Sequence, residues 1–221
     1  MTVLDLTGRT ALVTGGAQGL GAGIAEALAR SGAAVLIGDI RDEAGRETVN
    51  DIQNSGGTAD FIHLEITSES DWDSAARHCV KALGRFDILI NNAGVELSAL
   101  IVETDVDDLR RMLEVNVLGT ALGIKHAFRS MRPGGIAGRG GVIVNISSVA
   151  ATIAFPGISG YSATKSAVDR LTRVAALESG KLGYGVRVNC LYPAGTDRDG
   201  HQAGRRHGRA GIVAERRGCG R

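Results

Sequence analysis

Six short apolar runs, rich in β-branched residues, recur along the chain with helix-length segments between them. The runs are 10–14, 34–38, 61–64, 88–90, 142–146 and 186–191. They are continuous rather than alternating in polarity, which is typical of strands buried on both faces. The intervening segments 20–31, 42–55, 69–83, 106–131 and 161–182 carry apolar residues at helical spacings of three and four. This alternation predicts one α/β domain with a doubly wound parallel β-sheet flanked by helices.

The composition excludes several classes of protein. Hydrophobic residues make up 43% of the 221-residue chain and charged residues 22%, so a disordered chain, a collagen or a coiled coil is not expected. Aromatic residues are only 4%, which argues against stacking platforms for single-stranded nucleic acid. No apolar run approaches about 18 residues and the N-terminus has no signal-peptide pattern. We therefore expect a cytoplasmic protein without a membrane span.

The three cysteines, Cys79, Cys190 and Cys219, are widely separated. They are too few for a disulfide framework, and none lies at zinc-ligand spacing from another cysteine or a histidine. We expect a reducing compartment and no metal.

The segment 198–221 differs from the rest of the chain. It holds seven arginines and two acidic residues, a net charge of +5, whereas residues 1–197 carry about −4. It also lacks apolar periodicity, so we expect residues 1–197 to form the domain and 198–221 to be a disordered tail rich in arginine and glycine. Such a tail can bind a phosphate backbone, but the sequence contains no nucleic-acid module, and no nucleic-acid partner is expected.

A glycine-rich segment, 14–21, leads directly from the first predicted strand into the first predicted helix. Glycine lets backbone N–H groups approach a pyrophosphate, and the helix N-terminus supplies unpaired donors for it. The second predicted strand ends at Asp39, where an acidic side chain can accept hydrogen bonds from an adenosine ribose and repel a 2′-phosphate. Neither Ala17, Gln18 nor Ile40 is basic, so NAD is favoured over NADP. The alternative for the glycine-rich segment is an ordinary strand-to-helix turn, and the alternative for Asp39 is an N-cap of the following helix.

A second group of polar residues follows the fifth predicted strand. Tyr161 and Lys165 are four residues apart, which on a helix places both side chains on one face. A nearby ammonium group is expected to lower the pKa of a phenol and make it a usable acid or base. Ser148 lies 13 residues before Tyr161, at the end of the strand, and its neighbour Ser147 competes for the same role. The alternative for Tyr161 and Lys165 is a pair on the helix surface, and the alternative for Ser148 is a serine in an ordinary turn.

The ordered motifs together resemble the short-chain dehydrogenase/reductase family over roughly residues 5–196. The family's glycine motif is matched by Thr14, Gly15, Gly19 and Gly21, and its Asn-Asn-Ala-Gly motif by residues 91–94. The resemblance implies a single Rossmann-like domain, NAD as cofactor, and hydride transfer between the nicotinamide and a secondary alcohol or ketone. It also implies a homodimer or homotetramer.

The resemblance also assigns roles to individual residues. It implies a catalytic tetrad of Asn116, Ser148, Tyr161 and Lys165, in which Tyr161 exchanges the substrate proton and Asn116 lies in a helix distortion. Asn91 ties the central sheet together. The residues expected at the cofactor are Gly15, Gln18, Gly19, Leu20, Gly21, Asp39, Ile40, Glu65, Ile66, Asn92, Ala93, Gly94, Tyr161, Lys165 and Pro193.

The resemblance ends after Asp197. The family continues with a substrate-covering loop, a helix and a last strand, and this C-terminal helix and strand are not recognisable in segment 198–221. A reading-frame shift near residue 198 or a truncated gene is one hypothesis for this segment. Two functions therefore stay open: an NAD-dependent alcohol dehydrogenase, and a non-catalytic NAD-binding remnant.

Overall fold

The protein was analysed as a computed structural model, which describes residues 5–194. Its centre is a six-stranded sheet with the order β3-β2-β1-β4-β5-β6, in which every pairing is parallel. The strands are β1 (Thr10–Thr14), β2 (Ala34–Asp39), β3 (Thr58–His63), β4 (Ile88–Asn91), β5 (Gly141–Ile146) and β6 (Val186–Leu191). The predicted Rossmann-like α/β fold is confirmed. The predicted domain boundary at residue 197, the tail 198–221 and its missing helix and strand lie outside the described residues.

Helices cover both faces of the sheet. They are α1 (Gly19–Arg30), α2 (Asp42–Asn54), α3 (Glu69–Leu83), α4 (Val106–Met112), α5 (Thr120–Met131) and α6 (Ser159–Lys181). One apolar cluster joins β1 and β2 to α1 and α2 through residues such as Val13, Ala25 and Ile52. The other joins the sheet to α3, α5 and α6 through Trp72, Met131 and Ala175. The sheet is therefore buried on both faces, which explains its continuous apolar runs.

Two predicted segments differ from the structure. The third strand begins at Thr58 and ends at His63, so the predicted run 61–64 is shifted. This strand lies at the edge of the sheet and alternates in burial, and a rule based on continuous apolar runs misses such a strand. The predicted helix 106–131 is divided by a π-helical segment, Leu113–Gly119, between α4 and α5. Such segments are rare and occur often at functional sites.

A buried chain of hydrogen bonds connects β4, β5 and α6. Asn91 Nδ2 donates to Asn145 Oδ1 over 2.8 Å, and Asn145 Nδ2 donates to Thr172 Oγ1 over 2.8 Å. Asn145 has no exposed surface, and Asn91 and Thr172 are also buried. The Asn91 cross-link is present as expected, and it holds the two central strands against the helix that carries Tyr161 and Lys165.

No helix within residues 5–194 is long and apolar enough to cross a lipid bilayer.

Candidate functional site

A cleft of about 470 Å³ opens at the carboxyl ends of the strands. The strand order reverses at this point: the chain runs outwards from β1 to β2 and β3, and then returns to place β4 on the other side of β1. This is the position at which doubly wound sheets bind ligands. The predicted cofactor residues that line it are Gly15, Gln18, Gly19, Leu20, Gly21, Asp39, Ile40, Glu65, Ile66, Asn92, Ala93 and Gly94. The structure therefore brings together residues from four different strand ends.

The glycine segment lies in close contact with the segment after β4. Gly15 has a φ of +64°, and a Cβ added there would be 2.8 Å from the Cα of Ala93. At Gly21 an added Cβ would be 2.1 Å from the carbonyl oxygen of Gly15 and 2.5 Å from Asn92 Nδ2. Neither position has room for a side chain. The close packing leaves bare backbone along this wall of the cleft, beside the N-terminus of α1, and such a wall can accept a pyrophosphate.

Hydrogen bonds fix this arrangement. The Thr14 hydroxyl oxygen accepts from the backbone N–H groups of Asn92 (3.0 Å) and Ala93 (3.1 Å). Asn92 Nδ2 in turn donates to the carbonyl oxygens of Thr14 and Gly15. The first residue of the glycine motif therefore anchors the Asn-Asn-Ala-Gly segment, so the two motifs form one structural unit.

Asp39 is almost fully buried at the end of β2. Its Oδ2 accepts from the backbone N–H of Ala17 over 3.0 Å, and its Oδ1 accepts from the backbone N–H of Arg41 over 3.0 Å. The guanidinium Nε of Arg41 also lies 3.3 Å from Oδ1. The prediction that no basic side chain accompanies Asp39 is therefore wrong, because it considered Ala17, Gln18 and Ile40 but not Arg41.

Four further lining residues were missed as well. They are Leu64, Val95, Arg111 and Val115. Arg111 comes from α4, and Val115 comes from the π-helical segment. Arg111 and Val115 reach the cleft only through tertiary packing, which no sequence motif marks, whereas Leu64 and Val95 adjoin the predicted residues Glu65 and Gly94. Glu65 lines the cleft as predicted, but its Oε1 accepts two hydrogen bonds from Thr67.

The two candidate serines have different surroundings. Ser147 is buried, and its hydroxyl donates to the carbonyl oxygen of Lys165 over 3.0 Å. Ser148 is half-buried, its hydroxyl lies close enough to the phenol of Tyr161 to lower the pKa of that group, and its Oγ accepts from the backbone N–H of Ala150. Ser147 therefore has a structural partner, whereas Ser148 faces the phenol.

Burial dominates the electrostatics of Tyr161 and Lys165. The ammonium group of Lys165 lies 5.5 Å from the centre of the Tyr161 ring and donates to the carbonyl oxygen of Ile146 over 2.8 Å. Burial lowers the pKa of Lys165 to about 8 and raises the pKa of Tyr161 above its ordinary value, and the nearby Ser148 hydroxyl only partly opposes the second change. The expected lowering of the Tyr161 pKa is thus wrong for this structure, because the desolvation of the phenolate outweighs its stabilising neighbours.

Asn116 lies inside the π-helical segment, so the predicted helix distortion is present. Its side-chain amide holds Val95 from both sides: Oδ1 accepts from Val95 N–H and Nδ2 donates to the Val95 carbonyl oxygen, each over 2.8 Å. The amide also donates to Thr164 Oγ1, one residue before Lys165. Asn116 thereby connects the segment after β4 to α6.

Gly94 links the cleft to the second group of residues. A Cβ added at Gly94 would lie 3.1 Å from Asn116 Oδ1 and 3.4 Å from Lys165 Nζ. Tyr161 and Lys165, which were also expected at the cofactor, do not themselves line the cleft, but the ammonium group of Lys165 lies directly beside Gly94 at its end. Pro193 does not line the cleft; its carbonyl oxygen accepts a hydrogen bond from the N–H of Val149, next to Ser148.

Comparison with known proteins agrees with this geometry. A family model described as short chain dehydrogenase matches residues 9–208. The chain belongs to the short-chain dehydrogenase family. Members of this family normally bind a nicotinamide cofactor, NAD or NADP. The cleft fits such a group, because one wall is bare backbone and its far end, at Gly94, lies beside Lys165.

Relatives of this short-chain dehydrogenase act on hydroxyl-bearing compounds. The chain is 37% identical to the trans-4-hydroxycyclohexanecarboxylate dehydrogenase of Sinomonas cyclohexanicum over 84% of this chain and 71% of that protein. It is 38% identical to the L-2,3-butanediol dehydrogenase of Corynebacterium glutamicum over 81% of this chain and 69% of that protein. The chain is 38% identical in sequence to a dehydrogenase/reductase from Sinorhizobium meliloti 1021 of known crystal structure. The two structures match with a TM-score of 0.80 over 89% of this chain and 75% of that one. These similarities support an oxidoreductase of the alcohol dehydrogenase type.

Proposed function

We propose that this protein transfers a hydride between NAD(H) and a secondary alcohol or its ketone, with Tyr161 as the acid/base. The observation that carries the proposal is the position of Ser148, Tyr161 and Lys165. The Ser148 hydroxyl lies beside the phenol, and Lys165 lies where the cleft ends at Gly94. A cofactor cleft that leads to a buried acid/base is the arrangement that dehydrogenation of an alcohol requires.

The cofactor would lie along the bare wall of the cleft. The N–H groups at the start of α1 and the glycine segment would bind its pyrophosphate, and Asp39 would accept hydrogen bonds from the adenosine ribose. Lys165 would bind the nicotinamide ribose, because only one of the three ammonium protons is donated to Ile146. When bound, the nicotinamide supplies the hydride acceptor or donor.

The preference for NAD rests on how firmly Asp39 is held. Two backbone N–H groups fix its carboxylate, so it cannot turn away from the ribose position. A 2′-phosphate would meet this negative charge directly. Arg41 is the opposing group, since its side chain is 43% exposed and able to rotate towards a phosphate. We propose that the fixed carboxylate outweighs the mobile guanidinium.

The residues at the end of the cleft would handle the substrate proton. The raised pKa keeps Tyr161 protonated at neutral pH, so it would donate a proton to the oxygen of a ketone during reduction. Ser148 would hold the same oxygen and stabilise the charge that develops on it. Asn116 is a positioning residue, since it holds Val95 and Thr164 around the site.

We also propose self-association through the helices beside the site. Large apolar side chains of the π-helical segment and α6 are exposed in the described chain, among them Leu113, Leu118, Val174 and Leu177. Exposed apolar patches of this kind mark protein–protein interfaces. Light scattering at several concentrations would show a dimer or tetramer, and a monomer throughout would refute this proposal.

The test of the proposed function is the variant Tyr161→Phe. It removes the proton donor and keeps the ring, so turnover of secondary alcohols and ketones should fall by about 10²–10⁴-fold. NADH binding, measured by cofactor fluorescence, should stay within about twofold of wild type, because the ring remains in place. Wild-type chain that binds NADH but turns over none of a broad panel would instead indicate the non-catalytic NAD-binding protein.

A further inference from the structure

Glu96 lies on a short segment that is held at both ends above the candidate active site. On one side, the amide of Asn116 clamps the N–H and the carbonyl oxygen of Val95. On the other side, Ala99 pairs with Ile158 and its N–H donates to the carbonyl oxygen of Gly157 over 2.8 Å. Glu96 therefore cannot move far from the start of α6, where Tyr161 lies.

The charge of Glu96 acts on the site, and no salt bridge neutralises it within the described residues. Its side chain is exposed, and within residues 5–194 it forms no salt bridge. It is close enough to raise the pKa of both Tyr161 and Lys165 by its charge. At neutral pH Ser148 and Tyr161 are neutral and the ammonium group of Lys165 is buried, so Glu96 is the exposed charge beside the phenol that an incoming substrate meets.

We infer that Glu96 is a specificity-determining residue that selects substrates by charge. Alcohols or ketones carrying a protonated amine are favoured over neutral ones, and those carrying a carboxylate are disfavoured. This inference rests on the proposed function, because it places the substrate oxygen at Ser148 and Tyr161. The remainder of the substrate then extends towards the exposed rim of the site on which Glu96 lies.

The expected effect follows from Coulomb's law. For charges about 8 Å apart at an effective dielectric constant of about 40, one unit of substrate charge changes kcat/KM by about fivefold. An amine and a carboxylate on the same skeleton should therefore differ by about 25-fold. Because Glu96 is exposed, most of this difference should disappear at about 1 M salt, where the Debye length is about 3 Å.

The experiment compares matched substrates in wild type and Glu96→Gln. The probes are trans-4-aminocyclohexanol, trans-4-methylcyclohexanol and trans-4-hydroxycyclohexanecarboxylate, with the three corresponding cyclohexanones as a second set. Wild type should prefer them in the order amine, methyl, carboxylate, and Glu96→Gln should bring the three values of kcat/KM to within about twofold. Glu178→Gln is the control, because it removes the same charge from an exposed position about 20 Å along α6 from Lys165.

The outcomes separate this inference from the proposed function. The role of Glu96 is overturned if the neutral compounds are turned over and charge makes no difference, or if the preference is unchanged in Glu96→Gln. Either result leaves the proposed dehydrogenase function standing. A loss of preference in Glu178→Gln as well would make it an effect of net charge and also overturn the inference. No turnover of either set by chain that binds NADH overturns both the proposed function and the inference.

Discussion

The alanine substitution of Gly21 tests how the glycine segment is built. Gly21 lies in the first turn of α1, where alanine is normally favoured over glycine by about 1 kcal/mol. Its added Cβ would be 2.1 Å from the carbonyl oxygen of Gly15, which is backbone and cannot rotate away. The steric effect therefore opposes the helix propensity at this position.

The magnitudes decide the sign. Forcing an extra methyl group into a packed site costs about 1–3 kcal/mol, and the rigidity of the backbone contact places Gly21→Ala at the upper end. After subtracting the gain in helix propensity, we expect a net loss of about 2 kcal/mol in the free energy of unfolding. For a domain of this size, that is a fall in Tm of about 4–8 °C. The displaced Gly15 should also weaken NADH binding by more than about tenfold.

Gly180→Ala is the matched control. Gly180 lies near the end of α6, and a Cβ added there would have no atom within 4 Å. This variant should gain the full propensity of alanine, so its Tm should rise by about 2–4 °C without a change in NADH binding. Thermal unfolding and cofactor fluorescence measure both quantities. If Gly21→Ala were as stable as Gly180→Ala and bound NADH as wild type does, the close packing described for this segment would be refuted.

Two further predictions concern buried polar groups. Burial holds the pKa of Lys165 at about 8, below its ordinary value of 10.5. Between about pH 8 and pH 10.5 the unfolded chain therefore binds more protons than the folded chain. The unfolding free energy of wild type should rise with pH over this range by up to about 3 kcal/mol. Lys165→Met should therefore be more stable than wild type below about pH 8 and should lose this advantage by about pH 10.5. Urea titrations at several pH values measure this difference, and a difference that does not depend on pH would contradict the cost assigned to burying the ammonium group. Thr172→Val leaves the fully buried Asn145 Nδ2 without an acceptor and should lower the unfolding free energy by about 1–3 kcal/mol. Thr172→Ser keeps the hydroxyl, so its unfolding free energy should fall by less than half of that amount.

The sequence predicted the fold because burial on both faces leaves a direct pattern in the strands. The run at β1, whose five residues are all buried, agrees residue by residue with the structure. β3 was shifted because an edge strand is only half-buried and includes polar residues such as Asp60. The π-helical segment was expected only as a distortion at Asn116, since hydrogen-bond register within a helix has no residue code of its own.

The site was predictable to the extent that its residues belong to local motifs. The glycine segment and the Asn-Asn-Ala-Gly segment line the cleft as predicted. Arg41 was missed because its pairing with Asp39 depends on the turn between β2 and α2, and Arg111 because it reaches the cleft from α4. The pKa direction of Tyr161 was wrong because sequence spacing shows which charges are near but not how much water the fold removes.

The family resemblance assigned the catalytic role to Ser148, but the physical reason that separates it from Ser147 needed the structure. Both follow β5, and the sequence does not show which hydroxyl points into the sheet. The hydrogen bond from Ser147 to Lys165 separates them, because it gives Ser147 a buried partner and leaves Ser148 beside the phenol. Neighbouring residues at a strand end point in opposite directions, so the register of a single residue decides which one acts.

The most direct test of the central claim is a parallel titration of the purified chain with NADH and NADPH, followed by cofactor fluorescence. The account predicts that both motifs form one cofactor site and that the fixed carboxylate of Asp39 makes NADH bind at least about tenfold more tightly, a difference of 1.4 kcal/mol. Tighter binding of NADPH would contradict the balance assigned to Asp39 and Arg41. Failure of folded chain to bind either cofactor would contradict the cofactor site itself.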